Sequence, residues 1–375
     1  METEHINNLL IVLLIGSLGL LSFIKISNPL KINQKGNLIF GIFSIVWLTF
    51  WFEEWMGFAN IDHYNPAINI SIHCLQIFAP ILLYFSVIFY SIPNFKLKTS
   101  HFIHLIVPIA FIILQITQGV LSNPPASIAK AIIFLILSAA FIYGFQAYLQ
   151  IKRHKQQVLE FASNTQGISL KWLEFIIILL LTNSIFALAH SILADSKKPG
   201  ILFNAFNLVS VGIIAFQALR QKEIYPSSRL HQNHYVEQDS DNVNTKRKVM
   251  SDEELITAKE RLTILMIQRN AYLDSEINLL RLSEMAEMTV HQLSYTINVG
   301  FGMNFFLYIN QYRIAKAKEI LASSPDSSKM LAVAFDSGFN SKTTFNTTFK
   351  KLTGETPSDF KKKQIGNTDI KSSTL

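Results

Sequence analysis

Seven apolar runs fill the first 220 or so of the 375 residues, at roughly Leu9–Ile24, Leu38–Phe52, Ile68–Tyr90, Phe102–Val120, Ile128–Leu149, Trp172–Leu193 and Ile201–Leu219. A helix needs about 20 mainly apolar residues to cross the hydrocarbon layer of a membrane. The predicted first block, residues 1–222, is therefore a seven-helix transmembrane bundle. A cleaved secretory signal is the competing reading of the first run, but its leading residues, METEH, are acidic and no small-residue cleavage site follows.

Half of all residues are hydrophobic and 12% aromatic, concentrated in this block, and the net charge is +7. That sign would suit nucleic acid, an anionic lipid surface or basic loops beside membrane spans, so its distribution has to decide. Lys25, Lys31, Lys35, Lys96, Lys98, Lys152, Arg153, Lys155, Lys171, Arg220 and Lys222 fall on one side of the seven spans. Lys130, Lys197 and Lys198 fall on the other, together with Glu2, Glu4, Glu53, Glu54 and Asp62. The positive-inside rule then predicts the N-terminus outside and the C-terminal region in the cytoplasm.

Polar groups inside spans are costly and face the bundle or a wet cavity. His73, Gln115, Gln118, His190, Asn204 and Asn207 fall in the predicted outer half, near Glu53, Glu54, Asp62 and His63. Glu53, Glu54, His73, His190, Asn204 and Asn207 are the candidates for a ligand pocket. The plainer reading pairs such residues across helices or leaves them in the headgroup layer. The single cysteine, Cys74, excludes an intrachain disulfide, and no two histidines stand at i and i+4 beside a carboxylate. No metal, no cofactor and no catalytic group is expected, and the chain is not read as an enzyme.

Residues 223–250 are polar and without period, which reads as a flexible linker. Its Lys246, Arg247 and Lys248 could touch lipid or DNA phosphate, or stay solvated. A soluble helical domain, 251–363, follows, and a polar tail, 364–375, ends the chain. Ser251 with Glu254 and Thr289 with Gln292 are spaced as capping boxes. LLRLSEMAEMTVHQLSYTIN reads as two short helices broken near Glu287 and Met288. Next comes a longer helix with Phe305, Ile309, Tyr312, Ala315 and Ile320 spaced for one buried face. KMLAVAF, a turn at Gly338, and SKTTFNTTFKK repeat the first pattern. TGETP stops the second helix, and Pro357 opens a last one. The fold class is all-α, with the helix-turn-helix plan occurring twice around a connecting helix.

The stretch AFDSGFNSKTTFNTTFKKLTGETPSDFKK resembles the signature of the AraC/XylS family of bacterial transcription regulators, and INVGFGMNFFLYINQYRIAKAKEIL resembles the middle of the same DNA-binding domain. The likeness is dense over roughly 30 residues and clear from about Leu273 to Lys363. Joined to a membrane half, it is similar to a membrane-bound subgroup of such regulators. The resemblance implies that the helices opening at Thr289 and Ser341 each enter a major groove, where base edges distinguish all four pairs. It makes His291, Ser294 and Tyr295, then Lys342, Thr343, Asn346 and Thr347, the base-contact candidates. Lys350, Lys351, Lys361, Lys362 and Lys363 suit phosphates. Phe335, Phe339, Phe345 and Phe349 are expected in the core.

Where the family has alanine and, four residues on, glycine, the first motif has Ser283 and Glu287, and its recognition helix lacks lysine and arginine. The second motif is expected to dominate affinity. The expected function is a membrane-integrated, sequence-specific transcription regulator of the bacterial cytoplasmic membrane. Its expected partners are double-stranded DNA, the lipid bilayer, RNA polymerase, a small ligand or membrane partner, and a second copy as homodimer. The alternatives are a transporter or membrane enzyme with a regulatory DNA-binding tail, and a regulator released by proteolysis.

Overall fold

The computed structural model of the protein describes residues 2–59, 61, 66–92, 95–121, 123–165, 168, 170–193, 200–221, 249–323 and 329–372, with backbone alone at 2, 66, 187–193 and 365–372. Among the described residues all regular structure is helical, and one isolated antiparallel bridge joins Ala162 and Asn278. The chain divides into two compact units, 1–154 with 167–225, and 155–166 with 226–375.

The first unit contains α1 (Glu2–Ser27), α2 (Gln34–Leu48), a 3-10 turn (Thr49–Trp51), α3 (Phe52–Phe58), α4 (Pro66–Gln76) and α5 (Ala79–Ser91). It continues with a 3-10 turn (Thr99–Leu105), α6 (Ile106–Val120), α7 (Ala126–Phe161, as far as His154), α8 (Lys171–Leu193) and α9 (Ile201–Leu219). Among the described residues, six helical stretches are long and apolar enough to cross a membrane: Thr3–Ser27, Gln34–Phe58, Ala67–Ser91, Thr99–Val120, Ala126–Phe161 and Ile201–Leu219. The expected sixth span, Trp172–Leu193, corresponds to α8, a helix of 23 residues whose side chains beyond Phe186 lie outside the described residues.

Large apolar side chains stand fully outward, Leu202 at 83% exposure and Phe134 at 70%. Inside, the Phe40 ring meets Trp172 edge-on at 4.9 Å, and Tyr90 meets the same indole at 5.6 Å. Gly41 lets α2 press on α1, since a Cβ there would lie 2.5 Å from Ile26 Cγ1. A second apolar cluster joins Ile77, Ile81, Phe111, Ile132 and Tyr143.

Glycine does not break any span in the sequence, yet the second and third spans are interrupted. The second passes through the 3-10 turn at Thr49–Trp51, and the third turns at Ile77 and Phe78 before α5. Pro80 sits in the first turn of α5, where its missing N–H is harmless, whereas a continuous helix from α4 would lose a hydrogen bond and clash. Gln76 Nε2 donates to Thr49 O at 3.2 Å, so a side chain beside the third-span break bonds a backbone carbonyl of the second.

The second unit holds α10 (Asp252–Gln268), a 3-10 turn (Ala271–Leu273), α11 (Leu279–Met285), α12 (Val290–Tyr295), a π turn (Thr296–Gly300), α13 (Phe305–Ser323), α14 (Met330–Asp336), α15 (Lys342–Thr353) and α16 (Pro357–Ser372). Both expected capping boxes form: Ser251 Oγ accepts from Glu254 N–H, and Thr289 Oγ1 from Gln292 N–H, each with the reciprocal bond. Of the expected linker, residues 223–248 lie outside the described residues, and α16 extends through much of the expected tail.

One core gathers α10 to α12 with Phe305, Tyr308 and Ile309, and another gathers α14 and α15 with Ile314, Ala317 and Leu321. Helix α13 serves both. Its buried stripe is Phe305, Ile309, Arg313, Ala317 and Leu321, a strict spacing of four. The expected face was rotated from this: Tyr312 and Ile320 are half-buried and Ala315 is exposed. Phe335 is likewise not core but 52% exposed. Val333 and Ala334 take the inward positions on α14 and Phe339 enters from the turn, so Phe335, about 100° further round, points out.

Candidate functional site

The second helix-turn-helix is built around Gly338, whose φ of 87° is left-handed. A Cβ there would also stand 2.6 Å from Tyr272 O and 2.9 Å from Leu273 Cα, so glycine is needed for space as well as for conformation. The turn closes with Gly338 N–H on Phe335 O (2.9 Å) and Phe339 N–H on Ala334 O (2.9 Å). Ser341 then caps α15, accepting from Thr344 N–H at 3.2 Å.

Along α15 the buried side is Phe345, Thr348 and Phe349. The opposite side exposes all four base-contact candidates of this motif, Lys342, Thr343, Asn346 and Thr347, followed by Lys350. Thr347 spends its hydroxyl hydrogen on Thr343 O (2.9 Å), which leaves its methyl and lone pairs outward. Gly354, at φ 84°, ends the helix, and the last-turn Lys350 and Lys351 complement its dipole.

Of the remaining phosphate candidates, Lys351 Nζ stands 5.7 Å from the centre of the Phe306 ring, Lys361 is half-buried and Lys362 exposed. Lys363 is ion-paired with Glu355 at 2.6 Å, and that hydrogen bond raises its pKa. Its charge is thereby offset locally.

The first motif copies the turn without the glycine. Glu287 N–H bonds Glu284 O (3.2 Å) and Met288 N–H bonds Ser283 O (3.0 Å), in the same pattern as around Gly338. Glu287 therefore takes a φ of 53°, and its side chain projects into solvent, 3.9 Å from Arg261 Nη1. Ser283, in alanine's place, is buried and turns its hydroxyl onto Leu280 O at 2.7 Å. Helix α12 has six residues before the π turn, and His291, Ser294 and Tyr295 are half-buried. Ser294 Oγ accepts from Asn298 Nδ2 at 3.3 Å.

Between the motifs stands a residue that spacing alone could have exposed, Arg313. It is 1% exposed. Its Nε donates to Tyr272 O (2.8 Å) and its Nη2 to Asp274 O (2.8 Å), pinning residues 272–274 beside Gly338. The guanidinium also lies 5.6 Å from the centre of the Phe339 ring. Burial lowers its pKa to about 10, against the charges of Asp274 and Glu276, so it remains a cation near neutrality.

Residues 155–166 belong to this same unit. Ser163 Oγ donates to Ile277 O (2.6 Å) and accepts from Arg313 Nη2 (3.3 Å), while Asn310 Nδ2 donates to Ser163 O (3.2 Å). Phe161 packs on the first core. The end of α7 and the residues after it are thus bonded to the helix that both motifs share.

The first unit contains an open cavity of about 480 Å³ where the second and third spans are interrupted. Of the pocket candidates, Glu54 and His73 line it, alongside Trp47, Trp51, Gln115 and Asn183. Glu53 is exposed and does not line it. Asn204 and Asn207 are fully buried and bonded across helices, Asn204 to Trp51 Nε1 (3.0 Å) and Asn7 (3.0 Å), Asn207 to Asn183 (2.8 Å). They are helix-packing groups, as the plainer reading allowed. The side chain of His190 lies outside the described residues.

Lys25 is not a loop charge either. It occupies the last turn of α1, 5% exposed, and donates to Ala218 O (2.7 Å) and Asn37 Oδ1 (3.1 Å) over the Trp172 ring. Among the described residues no group of three or more metal-ligating side chains comes together.

Residues 282–363 match the family model described as a helix-turn-helix domain. The match runs from α11 into α16 and so takes in both turns and both candidate recognition helices. No curated protein and no solved structure matched the chain. With the two turns bonded alike and one exposed polar helix face beside lysines, residues 282–363 form an AraC-type helix-turn-helix domain, the DNA-binding part of a transcription regulator.

Proposed function

We propose that the protein is a membrane-integrated, sequence-specific regulator that couples an extracytoplasmic or membrane signal to a promoter. The observation that carries this reading is the presence, in one chain, of an AraC-type domain and, among the described residues, six helical stretches of membrane-spanning length. The outward-facing Leu202 and Phe134 favour a lipid environment, because large exposed apolar surface is unfavourable in water. The lysine and arginine bias, even without Lys25, favours an N-terminus outside and a DNA-binding domain in the cytoplasm.

Coupling needs a physical path, and α7 supplies one. Most of this helix belongs to the first unit and its last seven residues to the second, where Ser163 is bonded to Arg313. A shift or rotation of α7 would strain the residues on which both helix-turn-helix motifs rest. A second copy of the chain and RNA polymerase are the partners expected at the promoter.

Membrane fractionation combined with chromatin immunoprecipitation and sequencing tests the proposal. Full-length chain in the membrane fraction, crosslinked to a discrete set of promoters, supports it. Promoter binding only by a shortened soluble fragment contradicts the integrated mode. The broken second and third spans also suit a transporter carrying a regulatory tail. That reading requires solute accumulation in vesicles that depends on the first unit.

A further inference from the structure

We propose that the cavity of the first unit binds a lipophilic organic cation, its apolar body against the aromatic wall and its charge at Glu54. This deepens the sensing part of the proposed function and rests on the membrane placement given there.

Two independent observations point to an occupied site. The cavity's volume of about 480 Å³ falls within the range typical of small-molecule pockets. Its walls also coincide with both breaks: Phe50 and Trp51 lie in the first with Glu54 just after it, and Gln76, Ile77 and Pro80 surround the second. Irregular backbone at membrane depth is tolerated where it is buried in protein or lines a cavity, and discontinuous helices are a recurrent way to build ligand sites there.

The lining chooses the ligand's chemistry. It is mainly apolar, with Trp47 and Trp51 offering indole faces, and its polar groups include Glu54, His73, Gln115 and Asn183. Among the described lining residues Glu54 is the acid, and there is no lysine or arginine. A carboxylate beside aromatic faces favours a cation whose own hydration is weak, through charge attraction and cation–π contact. A hydrophobic anion of the same shape would meet repulsion at Glu54.

The probes are tetraphenylphosphonium and its near-isostere of opposite charge, tetraphenylborate. Each is titrated into the purified full chain in nanodiscs of neutral lipid, following tryptophan fluorescence. Two of the chain's four tryptophans line the cavity. The expected result is saturable quenching by the cation, weakened at least tenfold in Glu54→Gln and abolished in Ala140→Phe, which fills the cavity from α7. The anion should give only the linear signal of partitioning into lipid. Equal behaviour of the two ions, or unchanged cation binding in either variant, overturns the proposal. Promoter binding by the same preparations is read separately, so failure of the DNA-reading function leaves a different trace from failure of the cavity.

Discussion

The two helix-turn-helix motifs share one hydrogen-bond pattern and differ in what fills its tightest position. At Gly338 the backbone of Tyr272 and Leu273 passes so close that a Cβ has no room, and Arg313 holds that backbone in place. At Glu287 the same left-handed turn opens to solvent, so a side chain costs only conformation, about 1–2 kcal/mol. A turn buried against a neighbour therefore demands glycine, whereas a turn on the surface merely prefers it. The same contrast extends to the recognition helices. Helix α15 presents four exposed polar side chains, while α12 is a turn and a half long with its candidates half-buried.

The sharpest way to break this comparison is to exchange the turn residues. Gly338→Ala should destabilise the second motif by about 2–5 kcal/mol, from left-handed strain plus overpacking against Tyr272. Hydrogen exchange of the α14 and α15 amides in the full chain would show it as lost protection, and unchanged protection would mean that the 272–274 backbone yields freely. Next in size is Arg313→Met, which strips the buried carbonyl Tyr272 O of its donor and leaves Asp274 O with Ile277 N–H alone. The orphaned Tyr272 carbonyl costs about 1–3 kcal/mol. Because α13 serves both cores, protection should fall in both motifs, and a loss confined to one would show that they are held independently.

Glu287→Gly should act in the opposite direction to Gly338→Ala. It stabilises the first motif by at most about 1 kcal/mol, once glycine's greater entropy in the unfolded chain is subtracted. A thermal melt that moves down instead would assign the Arg261 contact more weight than its 3.9 Å separation suggests. The smallest effect is expected for Lys350→Ala. It should weaken specific and non-specific DNA binding alike and lower the salt dependence by about one phosphate contact. A loss restricted to one operator sequence would make Lys350 a base reader.

Much of the second unit was legible in the sequence because its signals are local. Capping boxes and the alternation of short helices each depend on residues within one or two turns, and each takes the expected form. Phe335 was misread because aromatic side chains near a glycine turn look like core. Its burial depends on where α14 stops and on Phe339 taking the inward place.

Arg313 was passed over because its charge hides its membership of a four-spaced apolar stripe; only the carbonyls of residues 272–274, some 40 positions away, make an arginine suitable there. In the first unit, Asn204 and Asn207 looked like pocket residues until their partners on other helices were known. No local pattern in the sequence could have named Asn7 or Trp51 as those partners.

The central claim is that the second motif reads sequence while the first chiefly supports it, and one titration tests it most directly. The full-length protein in nanodiscs is titrated against an immunoprecipitated operator and a scrambled duplex at fixed salt, comparing Asn346→Ala with Ser294→Ala and Tyr295→Ala. Losing one bidentate base contact costs about 1–3 kcal/mol, roughly tenfold or more in affinity. Asn346→Ala is expected to lose that much on the operator and almost nothing on the scrambled duplex, with the two first-motif variants losing less. A larger operator-specific loss from Ser294→Ala or Tyr295→Ala than from Asn346→Ala would contradict it.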